Sequence, residues 1–170
     1  KHGTVSVLSG GGSVEVTAFR AEGGYSDHRR PDSGSFGCPL EADLARRDLT
    51  VNAMAMAAAG EITDPFGGRD DLRRRLLRCV GEPERRFDED ALRMLRTVRF
   101  SAQLGFEIEP RTLEAIRALA HLASGLSAER VRDERLKTLR SPAPGLVWQR
   151  VDLGLLGACL APGDASAPRE

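Results

Sequence analysis

The chain has 170 residues with a hydrophobic fraction of 41%, which allows a modest core and predicts one domain or two small ones. Its 25 Lys and Arg residues balance 25 Asp and Glu residues, which excludes a uniformly basic protein; the Arg-rich segments around 69–99 and 111–140 suit either a local polyanion contact or solvated helix faces. The cysteines and histidines lack metal-like spacing, and no apolar run approaches the ~20 residues of a membrane span, so we expect a cytoplasmic protein without a membrane partner.

The first predicted element is a β-hairpin. Residues 4–8 and 13–19 alternate polar and apolar side chains with a period of two, and the Gly-rich segment 9–12 joins them. Residues 21–40 are rich in Gly, Ser, Asp and Arg, which predicts a long mobile loop, and loops of this length are often functional.

Helices dominate the prediction after residue 40. Helix formers favour helices over 41–59, 69–77, 88–104, 112–122 and 127–139, with short strands at 61–63 and 77–80. Ser127 is expected to cap the last of these helices, and Gly105 to end the helix over 88–104. Residues 146–156 follow a Pro-rich break, and the tail from 161 is predicted to be unstructured.

The predicted helix over 88–104 carries an unusual polar face. At about 100° per residue, Asp90, Arg93 and Thr97 share one narrow arc. A carboxylate beside a guanidinium presents an acceptor beside a donor, which complements the amino group and bare ring nitrogen of cytosine or adenine. An ordinary intrahelical salt bridge on a solvated face explains the same pair. The apolar side chains gather on a different arc, which we expect to face the core: Leu92, Leu95, Val98 and Ala102.

Four motifs in one order resemble the bacterial class II CCA-adding tRNA nucleotidyltransferases and poly(A) polymerases, which belong to the polymerase-β-like nucleotidyltransferases. They are the Arg-Arg-Asp segment (Arg46–Asn52), the Asp-Pro-Phe-Gly-Gly turn (Asp64–Gly68), the Glu-Asp segment (Glu89–Arg93) and the weaker Ser127–Arg130 signature. We expect the turn to be structural, with its glycines supplying positive φ.

The resemblance covers roughly residues 2–140 and implies an α+β fold. Residues 1–86 would be the remnant of a nucleotidyltransferase head, a β-hairpin plus helices that lacks its first strands. Residues 87–140 would form an all-helical neck that binds nucleotide and RNA. Residues 141–170 would begin a helical body and end in a flexible tail.

The resemblance also implies a reaction, the template-independent addition of CMP and AMP, from CTP and ATP, to the 3′ end of tRNA or another RNA, with Mg²⁺. In this family an Asp-x-Asp pair on a head strand holds the metal. The Asp-x-Asp of this chain, Asp88–Asp90, belongs to the Glu-Asp segment instead. We therefore assign no metal ligand and expect an N-terminally incomplete fragment that is inactive alone. A homodimer would cover its unpaired sheet edge.

Individual roles follow from the same resemblance. Glu15 on the second strand fits a third catalytic carboxylate, or else is a surface glutamate. Arg47 would bind the sugar or phosphate of the nucleotide, since its fork suits phosphate. Asp48 and Asn52 would contact the ribose or hold the helix in place. Met54 and the nearby Met56 are predicted to be core residues.

Four residues of the predicted helix complete the nucleotide-binding set. Asp90 and Arg93 would read the base edge, while Arg96 and Arg99 would meet the triphosphate or the tRNA backbone. A buried structural ion pair is the alternative for Arg99, which lies close to the apolar arc.

Three other functions remain open at this point. A poly(A) polymerase of the same family would share these motifs. A nucleotide- or RNA-binding module without activity would explain the missing Asp-x-Asp. A purely structural helical adaptor would leave the order of the motifs unexplained.

Overall fold

The computed structural model describes residues 4–22, 34–145 and 155. They form an α+β fold, as predicted, but the neck predicted over residues 87–140 is not all-helical, since residues 107–108 form a strand that pairs in parallel with residues 76–77. The strands are β1 (Thr4–Ser9), β2 (Gly12–Thr17), β3 (Arg20–Glu22), β4 (Gly34–Phe36), β5 (Ala55–Met56), β6 (Ile62–Thr63), β7 (Leu76–Leu77) and β8 (Glu107–Ile108). The α-helices are α1 (Leu40–Ala45), α2 (Gly68–Arg74), α3 (Pro83–Glu89), α4 (Leu92–Leu104), α5 (Pro110–Leu119) and α6 (Ala128–Leu139), and 3₁₀ helices span Thr50–Asn52 and Ala120–Gly125.

The predicted hairpin is confirmed. β1 and β2 pair antiparallel, with Thr4 opposite Thr17. The turn residues Gly10 and Gly11 have φ of 58° and 87°. Positive φ at both central residues is the two-residue turn whose twist matches that of hairpin strands.

One face of this hairpin carries four exposed valines. The cross-strand register places Val5 opposite Val16 and Val7 opposite Val14. Their exposed fractions are 63%, 56%, 47% and 57% in that order, so the described residues leave this face largely uncovered. An apolar cross-strand quartet of this kind is normally buried.

The loop predicted over 21–40 is in part a second hairpin. β3 and β4 pair antiparallel, with Arg20 opposite Phe36, and α1 begins at Leu40. Residues 23–33, the segment 146–154 and the tail lie outside the described residues.

The helix predicted over 41–59 is wrong beyond residue 45. α1 ends at Ala45, the 3₁₀ helix follows, and β5 pairs with β6. The Asp48 carboxylate accepts from the Leu49 N–H at 2.9 Å, and the Thr50 N–H donates to the Arg78 carbonyl at 2.9 Å. These bonds compete with the helical ladder and pair the segment with residues 78–80 instead. Met56 is therefore 70% exposed on β5 and is not a core residue.

The helix predicted over 88–104 is two helices, because the chain is extended at Asp90. This residue has φ −152° and ψ 104°, between α3 and α4. Its carboxylate accepts from the Leu92 N–H at 3.0 Å, which satisfies one free donor of the new helix. Asp90 therefore does not share a helical arc with Arg93 and Thr97. Gly105, at φ 66°, ends α4 as predicted.

The later helices differ in detail from the prediction. The helix over 112–122 is α5 followed by the second 3₁₀ helix, and Ser127 lies at the N-cap of α6 without a capping hydrogen bond from its side chain. The predicted strand at 61–63 is present as β6. None of the described helices is long and apolar enough to cross a membrane.

The larger hydrophobic cluster draws on both sides of the boundary predicted at residues 86 and 87. It contains Leu49 and Leu77 together with Met94 and Ile116, all fully buried. The core-facing arc of α4 is confirmed for Leu95, Val98 and Ala102, which are buried, while Leu92 is half-buried. The division into domains stays a prediction.

Candidate nucleotide site

The Arg-Arg-Asp segment is ordered by a buried carboxylate that precedes it. Asp43 accepts from Arg46 Nη2 at 2.6 Å and from Arg47 Nη2 at 2.9 Å. Burial raises the pKa of Asp43, but hydrogen bonds from Arg47, Arg46 and the Arg20 N–H outweigh it, so the pKa lies below its ordinary value. The half-exposed Arg47 is therefore held at one end of its fork by an ionised partner.

Asp48 is the centre of a second set of bonds. Its carboxylate accepts from Asn52 Nδ2 at 3.2 Å and from Arg96 Nε at 2.6 Å. Burial raises the pKa of Asp48, but the charge and the hydrogen bond of Arg96 outweigh this effect. The pKa of Asp48 therefore lies below its ordinary value. Asp48 and Asn52 thus hold the 3₁₀ turn in place, and their contact with a ribose stays a prediction.

The side chains of Asp90 and Arg93 do not pair with each other, although the Arg93 N–H donates to the Asp90 carbonyl at 3.0 Å, so the intrahelical salt bridge given as an alternative is wrong. Arg93 Nη1 donates to Glu89 Oε2 at 2.7 Å. Asp90 Oδ2 instead accepts from Arg130 Nη2 on α6 at 2.8 Å. The extended backbone at Asp90 turns its carboxylate away from the face of α4 that carries Arg93.

The two motifs meet in space through their arginines. Arg93 Nη2 donates to the Arg46 carbonyl at 3.3 Å, and Arg86 Nη1 donates to the Ala45 carbonyl at 3.1 Å. These carbonyls lie at the C-terminus of α1, where helix acceptors lack intrahelical partners. Together with the Arg96–Asp48 pair, they join the Arg-Arg-Asp segment to the Glu-Asp segment.

Arg99 has a buried partner of its own. Its Nε lies 2.6 Å from Glu134 Oε2, its Nη1 donates to Gln103, and its guanidinium lies 4.1 Å from the centroid of the Phe100 ring. This is the structural ion pair that the sequence left as an alternative, and a nucleotide contact by Arg99 stays a prediction.

The Asp-Pro-Phe-Gly-Gly turn packs against the 3₁₀ helix at Thr50 and begins α2. Asp64 accepts from the Gly68 and Arg69 N–H groups at 2.7 and 2.9 Å and so caps α2. Positive φ is confirmed for Gly67 at 74° but not for Gly68. Gly68 is required for another reason, since a Cβ there would lie 2.2 Å from the Thr50 carbonyl oxygen.

Glu15 lies elsewhere, on the exposed hairpin opposite Ser6. Within 4–22 and 34–145, no three His, Cys, Asp or Glu residues stand together as a metal site. The described donor set does not fit a resident Mg²⁺, so we derive no metal-dependent step from it.

Sequence reasoning missed several residues that hold the site together. Asp43 and Glu89 each lie four residues before an arginine they bind, a spacing that brings side chains together on helices and could have revealed them. Arg130 lies 40 residues from Asp90, and nothing local in the sequence signals that contact.

Comparison with known proteins identifies two family models in this chain. Residues 1–78 match the model described as the poly A polymerase head domain, and residues 105–160 match the probable RNA- and SrmB-binding site of polymerase A. The CCA-adding enzyme of Lactobacillus helveticus is 52% identical over 137 residues, which are 81% of this chain and 34% of that protein.

Two solved structures are similar as well. The crystal structure of the Bacillus stearothermophilus CCA-adding enzyme in complex with CTP is 46% identical with a TM-score of 0.82, and the match covers 91% of this chain and 37% of that one. The Thermotoga maritima CCA-adding enzyme complexed with tRNA is 26% identical with a TM-score of 0.73, covering 93% and 36%.

The chain thus spans about a third of the length of the curated relatives it matches. Its four motifs, its α+β fold and these matches agree. The chain belongs to the family of CCA-adding tRNA nucleotidyltransferases and bacterial poly(A) polymerases.

Proposed function

We propose that this chain is the nucleotide-selecting part of a CCA-adding tRNA nucleotidyltransferase, which transfers CMP and AMP to tRNA 3′ ends. The observation that carries the proposal is the convergence of the Arg-Arg-Asp and Glu-Asp segments: Arg93 Nη2 donates to the Arg46 carbonyl, and Arg96, one turn beyond Arg93, pairs with Asp48. The half-identical relatives named as CCA-adding enzymes favour this function over a poly(A) polymerase.

The base would be selected by its pattern of donors and acceptors. Asp90 accepts from the Leu92 N–H and from Arg130, and an ionised carboxylate has about four acceptor positions, so it can also accept from an exocyclic amino group. Arg93 would release one of its backbone carbonyl partners and donate instead to the ring nitrogen beside that amino group. Uracil and guanine present a carbonyl beside an N–H, which would leave both protein groups mismatched.

The other residues would bind the remainder of the substrates. Arg47 and Arg96 would contact the sugar or the triphosphate, Asp48 and Asn52 the ribose, and Arg99 the RNA backbone. ATP would follow CTP at the same site, and the reaction would use Mg²⁺, to which we assign no ligand among the described residues. We retain Glu15 as the proposed third carboxylate of the reaction. The proposed location is the cytoplasm, and the proposed assembly is a homodimer.

A binding module without activity is the second candidate. The observation that favours it is the lack of a fitting metal donor set within the described residues. Incubating the chain with Mg²⁺, CTP and a tRNA that lacks its CCA end tests whether the chain has transfer activity of its own. We expect no CMP incorporation by the isolated chain, and incorporation would show that it performs the transfer itself.

Calorimetric titration of the chain with each of the four nucleoside triphosphates tests base selection. We expect CTP and ATP to bind about tenfold or more tightly than UTP and GTP, and Asp90→Ala and Arg93→Ala to abolish the difference. Asp70→Ala and Arg73→Ala are the matched control, since these residues form an exposed acid–arginine pair three residues apart on α2. Equal binding of all four nucleotides would contradict the proposal.

A further inference from the structure

We propose that Glu89 is a positioning residue that fixes the orientation of the Arg93 guanidinium, with Arg86 as the second partner that keeps Glu89 itself in place. The positioning rests on geometry in the nucleotide-free chain. Its consequence for base selection rests on the proposed function.

The Glu89 carboxylate is divided between two arginines. Oε2 accepts from Arg93 Nη1 at 2.7 Å, and Oε1 accepts from Arg86 Nη2 at 2.7 Å. Glu89 and Arg93 are buried and the Arg86 side chain is only 13% exposed, so solvent screens these pairs weakly. Each oxygen of Glu89 therefore has its own little-exposed arginine partner, in addition to the exposed Arg85 at Oε1, and the carboxylate cannot turn without losing one of those two partners.

The other ends of both arginines are held by one short stretch of backbone. Arg86 Nη1 donates to the Ala45 carbonyl, and Arg93 Nη2 donates to the Arg46 carbonyl. Arg93 Nη1 also donates to the Arg86 carbonyl at 3.1 Å. A planar guanidinium held at both terminal nitrogens has its plane fixed, which sets the direction of all its N–H donors.

The spacing of Glu89 and Arg93 does not make this an ordinary pair within one helix. Glu89 is the last residue of α3, and Arg93 lies in the first turn of α4, beyond the extended residue Asp90. The pair therefore bridges two helices across the residue proposed to accept from the base. Fixing Arg93 relative to α3 also fixes it relative to the Asp90 backbone.

Arg85 contacts the same carboxylate but is exposed to solvent. Its Nε lies 3.2 Å from Glu89 Oε1, but its side chain is 76% exposed. An exposed pair at this distance orders a side chain little. Arg85 is thus a matched control for a change that touches Glu89 without touching Arg93.

Base selection would depend on this orientation. An Arg93 guanidinium that rotated freely could turn its N–H groups toward either a ring nitrogen or a carbonyl of the base. With Arg93 held by Glu89, the donor is presented in one direction only. Loss of Glu89 should therefore reduce the preference for CTP over UTP more than it reduces CTP binding itself.

The test is NMR of the ¹⁵N-arginine-labelled, nucleotide-free chain, with Arg93→Lys to assign the Arg93 signals. We expect separate Nη–H resonances for Arg93 in the wild-type chain, their averaging in Glu89→Gln, and no change in Arg85→Gln. A single averaged Arg93 signal in the wild-type chain would overturn the inference without any variant, and so would separate signals that persist in Glu89→Gln.

Calorimetry on the same proteins tests the consequence. Glu89→Gln should lower the CTP-to-UTP affinity ratio about tenfold, while Arg85→Gln should leave it unchanged. An unchanged ratio in Glu89→Gln would refute the effect on selection. Equal binding of CTP and UTP by the wild-type chain would instead refute the proposed function, and the nucleotide-free resonances decide the positioning independently.

Discussion

At the scale of the residue, the site is organised by carboxylates that each bind more than one group. Asp43 holds Arg46 and Arg47, and Asp48 holds Arg96 together with a turn of backbone. A buried carboxylate with an arginine partner is ionised at neutral pH, and removing it leaves a cation without compensation.

Asp48→Asn should destabilise the chain by about 1–3 kcal/mol at pH 7, because Arg96 loses its counter-ion. The folded pKa of Asp48 is lowered, so its contribution is present above the unfolded pKa of about 3.9 and is lost as pH falls through the folded pKa. Urea unfolding between pH 7 and pH 3 should show the difference from wild type shrinking below about pH 4.

Asp70→Asn is the control for this pH series. It makes the same chemical change at the exposed pair with Arg73 and should alter the unfolding free energy little at any pH. A gap between wild type and Asp48→Asn that stays constant down to pH 3 would contradict the assigned role of Asp48.

Gly68→Ala should destabilise the chain by about 1–3 kcal/mol, because the new Cβ would lie 2.2 Å from the Thr50 carbonyl oxygen. Gly125→Ala adds the same methyl group where no atom lies within 4 Å and should cost little. Thermal unfolding of both variants checks this. Equal melting temperatures would show that the turn and the 3₁₀ helix can move apart at little cost.

At the scale of the element, α4 and α6 are joined by a buried ion pair between Arg99 and Glu134. Glu134→Gln should cost about 3–5 kcal/mol, since Arg99 would stay buried without its partner, whereas the double change Arg99→Met with Glu134→Leu should recover much of the loss. Urea unfolding of Arg99→Met, Glu134→Leu and the double variant completes a mutant cycle and measures the coupling.

Lys137→Ala serves as the control for that pair. Lys137 also contacts Glu134, at 3.3 Å, but its side chain is 55% exposed. Its removal should change stability little. Costs for the two single changes at Arg99 and Glu134 that simply add in the double variant would contradict a coupled pair.

The elements that could be predicted from sequence are those fixed by local chemistry. The hairpin follows from alternation and from Gly10 and Gly11, and α4 follows from its apolar arc. The break at Asp90 could not be predicted, because it depends on a carboxylate that bonds Leu92 nearby and Arg130 on a distant helix. Tertiary contacts of this kind override helix periodicity.

The candidate site was also predictable only in part from the sequence. Asp48 bonds Asn52 and Arg96, and Arg93 bonds the Arg46 carbonyl two residues before Asp48. Spacing allows two partners for Arg93, since Asp90 three residues before it and Glu89 four residues before it are equally plausible neighbours on a helix. The structure selects Glu89, because the break removes Asp90 from that face.

At the scale of the whole molecule, the valine face of the hairpin predicts self-association. Exposed apolar faces and unpaired strand edges promote contact with another chain. Sedimentation velocity should show a coefficient that rises with concentration, and Val7→Thr with Val14→Thr should reduce the rise. Leu139→Thr, an exposed leucine on α6, is the control. A coefficient independent of concentration would contradict this prediction.

The internal pairing of the site arginines has a consequence for how binding responds to ionic strength. Arg47, Arg93 and Arg96 already have protein carboxylates as partners. A nucleotide would then meet arginines whose charge protein carboxylates already balance, so its long-range attraction to the site would be weak. The logarithm of CTP affinity should fall only shallowly with the logarithm of salt concentration, by a slope well below one per phosphate contact.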